Sequence, residues 1–202
     1  MIWLIIGVIL LAAFGPMLWM LPSAADRRLA KMRGRARALG IHVEITQLDD
    51  LVAEPHARVT AGGVRREPKV SCAAYRMGLS RMARAAPKWM ILRMPGADDG
   101  PIPGWQWDVA SGSAMPSGDA DYWKRVADLT SAFPPDTLAL AAGPSEVACW
   151  WRERTTAQDA EKDVDRLDET LQKLAEIQRV ADAAASAGDA DEQAPEPPRT
   201  RH

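Results

Sequence analysis

The amino-acid sequence predicts an α+β fold: an N-terminal transmembrane helix, then a mostly antiparallel sheet with one or two packed helices, and a long C-terminal helix. Three observations predict it. Ile2 to Leu21 runs for 20 residues without a charge. At about 1.5 Å per residue this covers roughly 30 Å, the hydrocarbon thickness of a bilayer. After Gly40 the apolar pattern changes from helical spacing to alternation, in short runs broken by Gly and Pro. From Thr156 onward helical spacing returns.

Composition narrows the function classes. The chain has 202 residues, 47% of them hydrophobic, with 25 Lys+Arg against 27 Asp+Glu. That excludes global disorder. Two cysteines exclude a disulfide scaffold and a four-cysteine zinc site, and three histidines, one of them the last residue, leave little for metal or triad chemistry. No cofactor motif is present, and TAGG lacks the Gly-Lys-Ser/Thr of a phosphate loop.

Residues 1–22 are expected to form the anchor, with Trp3 and Trp19 near the two interfaces. A cleaved signal peptide ending at Ser23-Ala24-Ala25 is the weaker reading, because no Lys or Arg precedes the run and basic residues follow at once. Residues 23–40 are expected to form a basic juxtamembrane helix, capped by Ser23 and Asp26 and ended by Gly40. Its Arg27, Arg28, Lys31, Arg33, Arg35 and Arg37 are candidate contacts to anionic headgroups, beside a thin stripe of Leu29, Met32, Ala36 and Leu39. By the positive-inside rule this flank predicts a single-pass protein of the bacterial inner (plasma) membrane, N-terminus outside and the remainder cytoplasmic. Nucleic acid is not expected as a partner, since the helix offers no aromatic residues to stack on bases.

Residues 41–155 are expected to form the α+β domain. Ile41, Val43 and Ile45 alternate with His42, Glu44 and Thr46, as in a half-buried strand. Gly62-Gly63 suits a hairpin turn. KVSCAAYRM (69–77), KWMILRM (88–94) and WQWDV (105–109) read as further strands. Trp89, Trp105 and Trp107, with Arg93 and Asp108, form a possible ligand surface; large core anchors are the competing explanation. Asp119 or Asp121 opens a helix whose Tyr122, Val126, Leu129 and Phe133 share a face. LALAA and EVACWWRE flank Gly143-Pro144-Ser145 as a hairpin, and Cys72 and Cys149 read as structural thiols.

Residues 156–186 are expected to form an acidic amphipathic helix. Val164, Leu167, Leu171, Leu174 and Ile177 make a stripe that could pair with a partner helix or pack on the sheet. Eleven acids and four bases between Asp159 and Glu192 give a local charge of −7, against +5 at residues 22–40. Residues 187–202 lack apolar residues to bury and are expected to be disordered.

The order LPSAADRR, GIHVEI, KWMILR, GWQWD and LALAAGPSEVACWW resembles a group of uncharacterised single-pass inner-membrane proteins of proteobacteria over nearly the whole chain. The layout is also similar to the YajC-type accessory subunit of the preprotein translocase, and VTAGGVRR is similar to that family's glycine-pair segment. The longer, Trp-rich body and the acidic helix depart from that family, so no residue is carried over. The resemblance implies a membrane-associated accessory role. With no acid–base pair, nucleophile motif or ligand cluster in the sequence, the expectation is a membrane-anchored, non-catalytic accessory or interaction protein, with the bilayer as one partner and the C-terminal helix pairing with another protein or with itself. The alternative is a small-molecule sensor or enzyme at the inner leaflet, using the Trp surface.

Overall fold

The computed structural model describes residue 3 and residues 23–59, 62–98, 100–108, 119–156 and 159–192. Helix α1 spans Ala24–Ala38, and the Ser23–Asp26 capping box forms as the sequence predicts. Gly40 ends it at φ 83°, a left-handed conformation in which a Cβ would be strained, and the following Ile41 N–H returns to the Ala36 carbonyl. Six strands follow: β1 (His42–Asp49), β2 (Lys69–Gly78), β3 (Trp89–Arg93), β4 (Trp105–Trp107), β5 (Thr137–Ala142) and β6 (Glu146–Trp151). Helix α2 (Ala120–Thr130), capped by Asp119, lies between β4 and β5, and α3 (Ala160–Glu192) closes the described chain.

The strands form one sheet in the order β1-β2-β6-β5-β3-β4, with every pair antiparallel. Gly62-Gly63 reverses the chain as expected, with a single bridge between Val59 and Arg65. Gly100 has a different role: a Cβ there would fall 1.6 Å from the Trp105 carbonyl oxygen, so only glycine lets the loop pass beneath β4.

The three helices cover one face of the sheet. Their predicted stripes supply the core: Met32 and Ala36 from α1, Tyr122, Val126 and Leu129 from α2, and Val164, Leu167, Leu171 and Leu174 from α3. They pack on Tyr75, Ile91, Leu140, Val147, Cys149 and Trp151 of the sheet. Burying each of the α3 leucines contributes about 1.5–3 kcal/mol. The opposite sheet face carries a smaller apolar cluster of Cys72, Ala74, Ala139, Ala148 and Trp150, over which the Arg76 guanidinium stacks at 5.4 Å.

Two expectations are corrected. Apart from Trp3, the expected span in residues 1–22 lies outside the described residues, and among those described no helix is long and apolar enough to cross a membrane. Of the three helices, α3 is long enough at 33 residues but carries charge along its length, and α1 is basic and only 15 residues long. The fold class is therefore α+β with a six-stranded antiparallel sheet and three helices, without a transmembrane helix among the described residues. The single-pass inner-membrane placement is not supported, since no helix among the described residues can cross a membrane. Secondly, helix continues to Glu192, beyond the expected boundary at residue 186.

Candidate functional site

The tryptophan surface is interior. In the β3–β4 register Ile91 opposes Trp107 and Arg93 opposes Trp105, so Trp89, Trp105 and Trp107 share the helix-facing side of the sheet. Trp89 is 1% exposed and Trp105 6%. Trp123 of α2 completes the cluster, 5.4 Å from the Trp89 ring and edge-on to Trp107 at 5.0 Å. The Trp89 indole N–H donates to the Tyr122 hydroxyl, which donates to Gln178 Oε1 at 2.8 Å, and Gln178 Nε2 donates to the Pro87 carbonyl at 2.6 Å. Burial pushes the Tyr122 hydroxyl's pKa up, so this relay holds neutral groups. Arg93 is exposed and donates to the Pro135 carbonyl, while the Asp108 N–H is tied to the Met90 carbonyl. The five residues therefore split between a core and its rim.

The basic collar is also partly spent inside the fold. Arg33 forks onto Glu153, with Nε 2.9 Å from Oε1 and Nη2 on Oε2, and the Tyr75 hydroxyl donates to the same Oε1 at 2.7 Å. Glu153 is 5% exposed and holds φ at 56°, the one non-glycine residue with positive φ among those described. Such backbone strain persists only where surrounding contacts enforce it. Arg35 pairs with Asp165 of α3 at 2.7 Å. The opposite charges of the collar and the acidic helix thus meet within one molecule. Arg27, Lys31 and Arg37 stay exposed, and Arg28 is half-buried.

The C-terminal stripe is occupied as well: Val164, Leu167, Leu171 and Leu174 are at most 1% exposed, and Ile177 is half-buried beside them. The stripe packs on its own sheet, so a partner helix cannot use it without unfolding the domain. Among the described residues no three His, Cys, Asp or Glu side chains gather as metal ligands. Cys149 is fully buried, which pushes its thiol up to about 12, and burial also raises that of Cys72. Neither has thiolate character at neutral pH.

What the fold leaves open is β1. It ends the sheet, pairs with β2 along all eight residues, and has no described residue hydrogen-bonded to its other edge. Ile45 is 65% exposed there, and Val52, Val59 and Val64 in the following loop are each at least 50% exposed. An unpaired strand edge with an exposed apolar side chain is a template for another strand. The alternation predicts β1 but sets Ile45 on its buried face with Ile41 and Val43; the strand order places it at the margin of the sheet, where it is exposed.

No family model, curated protein or solved structure matches the chain.

Proposed function

We propose that this chain is a non-catalytic interaction protein that assembles by pairing β1 with β1 of a second copy. The observation that carries the proposal is the free edge of an eight-residue strand with Ile45 exposed at its centre. Self-association moves from the C-terminal stripe, which is buried, to this edge. Main-chain hydrogen bonds across the new pair would satisfy the edge, and the sheet would continue through the two-fold axis.

Side-chain chemistry selects the register. A two-fold axis perpendicular to the sheet sets residues of the same face opposite each other, so it passes through a residue of β1. With the axis at Ile45, the two Ile45 side chains face each other, Glu44 faces Thr46 and Val43 faces Gln47. An axis at Glu44 would oppose two carboxylates. An axis at Thr46 would set Val43 against Asp49. Apolar cross-strand pairs stabilise by about 0.2–1 kcal/mol and like charges oppose pairing, so the Ile45 axis is favoured.

The full chain is expected to sediment as a dimer at micromolar concentration. Ile45→Lys, which puts two ammonium groups opposite each other, is expected to sediment as a monomer with an unchanged melting temperature. A monomeric wild-type chain, or a dimer indifferent to the lysine, contradicts the pairing.

A further inference from the structure

Away from β1, a groove of about 1000 Å³ opens where three segments converge: the end of β3, the turn between α2 and β5, and the passage from β6 into the first turns of α3. Its size matches sites that take small organic ligands. The floor is aromatic, with Trp105 and Trp151 among the lining residues, and four cations border it: Arg93, Arg154, Lys162 and Arg166.

Three carboxylates also line the groove, and their bonding decides its character. Asp136 accepts from the Trp151 indole N–H and, at 2.9 Å, from the Arg154 backbone N–H. Asp163 accepts from the Thr155 hydroxyl, and Asp159 from the Thr156 hydroxyl at 2.7 Å. Each acid is thus held by neutral donors, an indole and a backbone N–H for Asp136 and a nearby threonine hydroxyl for Asp159 and Asp163, and by no side-chain cation. Arg154, Lys162 and Arg166 have no ion-pair partner among the described residues. Their side chains are exposed and their donors unspent. The strained Glu153 contributes to the arrangement. Its left-handed backbone sends its own side chain inward to Arg33 and Tyr75, and the next residue, Arg154, borders the groove.

We infer that this groove binds a small organic anion carrying at least two negative charges, of the phosphate-ester or polycarboxylate class. The guanidinium groups of Arg154 and Arg166 take the charged end by forked hydrogen bonds, Lys162 adds a point charge, and the aromatic floor takes the organic body. The site is independent of strand pairing at β1.

Inorganic pyrophosphate is the simplest probe of the charged end. Titrated into the full chain at fixed ionic strength, it is expected to change tryptophan fluorescence saturably, because Trp105 and Trp151 line the groove. Arg154→Ala and Arg166→Ala are each expected to weaken binding about tenfold, the loss of a charge-assisted hydrogen bond. Arg84→Ala, an exposed arginine outside the groove, is expected to leave it unchanged. A response that never saturates, or that chloride reproduces at equal ionic strength, overturns the inference. So does wild-type affinity in both groove variants, which would place pyrophosphate elsewhere.

Discussion

Glu153→Ala is expected to destabilise the fold by about 3 kcal/mol, read as a lower denaturant midpoint with an unchanged slope. The substitution leaves the partly buried Arg33 guanidinium without its fork partner and the Tyr75 hydroxyl without its acceptor. It also keeps a Cβ at φ 56°, so the strain remains while the contacts that hold it are gone. Glu153→Gly, which relieves only the strain, should recover a minor part of the loss. Arg35→Ala supplies the contrast. Its pair with Asp165 is more than two-fifths exposed on both sides, so its removal should shift the denaturant midpoint little. Equal losses in Glu153→Ala and Arg35→Ala would mean that α1 is not pinned through Glu153.

Trp89→Ala is expected to cost about 3–5 kcal/mol, as for a large buried aromatic. Three contributions combine. A side chain 1% exposed is removed, the Trp123 ring loses its neighbour at 5.4 Å, and the Tyr122 hydroxyl loses a donor. The near-ultraviolet circular dichroism of the Trp cluster should collapse in the same variant. A tryptophan serving only as an exposed ligand platform would instead be replaced with little change in thermal melting. Melting within about 1 kcal/mol of wild type would contradict the core assignment.

Local periodicity made most of the elements legible. Strand β1, the caps at Ser23 and Asp119 and the stripes of all three helices follow from side chains close in sequence and form where expected, but the buried face expected of β1 stops short of Ile45, which is 65% exposed. Placement between elements was not legible. The stripe of α1 could meet lipid or protein equally well on spacing alone; the acidic α3 beside it, with Asp165 for Arg35, decides for protein. The tryptophans of β3 and β4 could face solvent until the sheet register put them under α2, where Trp123 lies 34 residues from Trp89 and 16 from Trp107 in sequence. Glu153 gave no signal at all, because neither a left-handed glutamate nor its link to Arg33, 120 residues away, leaves a local pattern. The groove is of the same kind. Its cations come from β3, from the passage after β6 and from the first turns of α3, which only the fold brings together.

The most direct test of strand pairing at β1 is disulfide capture in the full chain. In the Ile45 register a cysteine at position 45 opposes its own copy, with Cβ atoms about 4.5–5.5 Å apart, close enough to bridge after small adjustment. The native Cys72 and Cys149 are buried and should stay silent. Under mild oxidation Ile45→Cys is expected to run as a covalent dimer on a non-reducing gel, while Gln47→Cys, set opposite Val43, stays monomeric. A monomeric Ile45→Cys, or equal capture at both positions, would contradict the pairing.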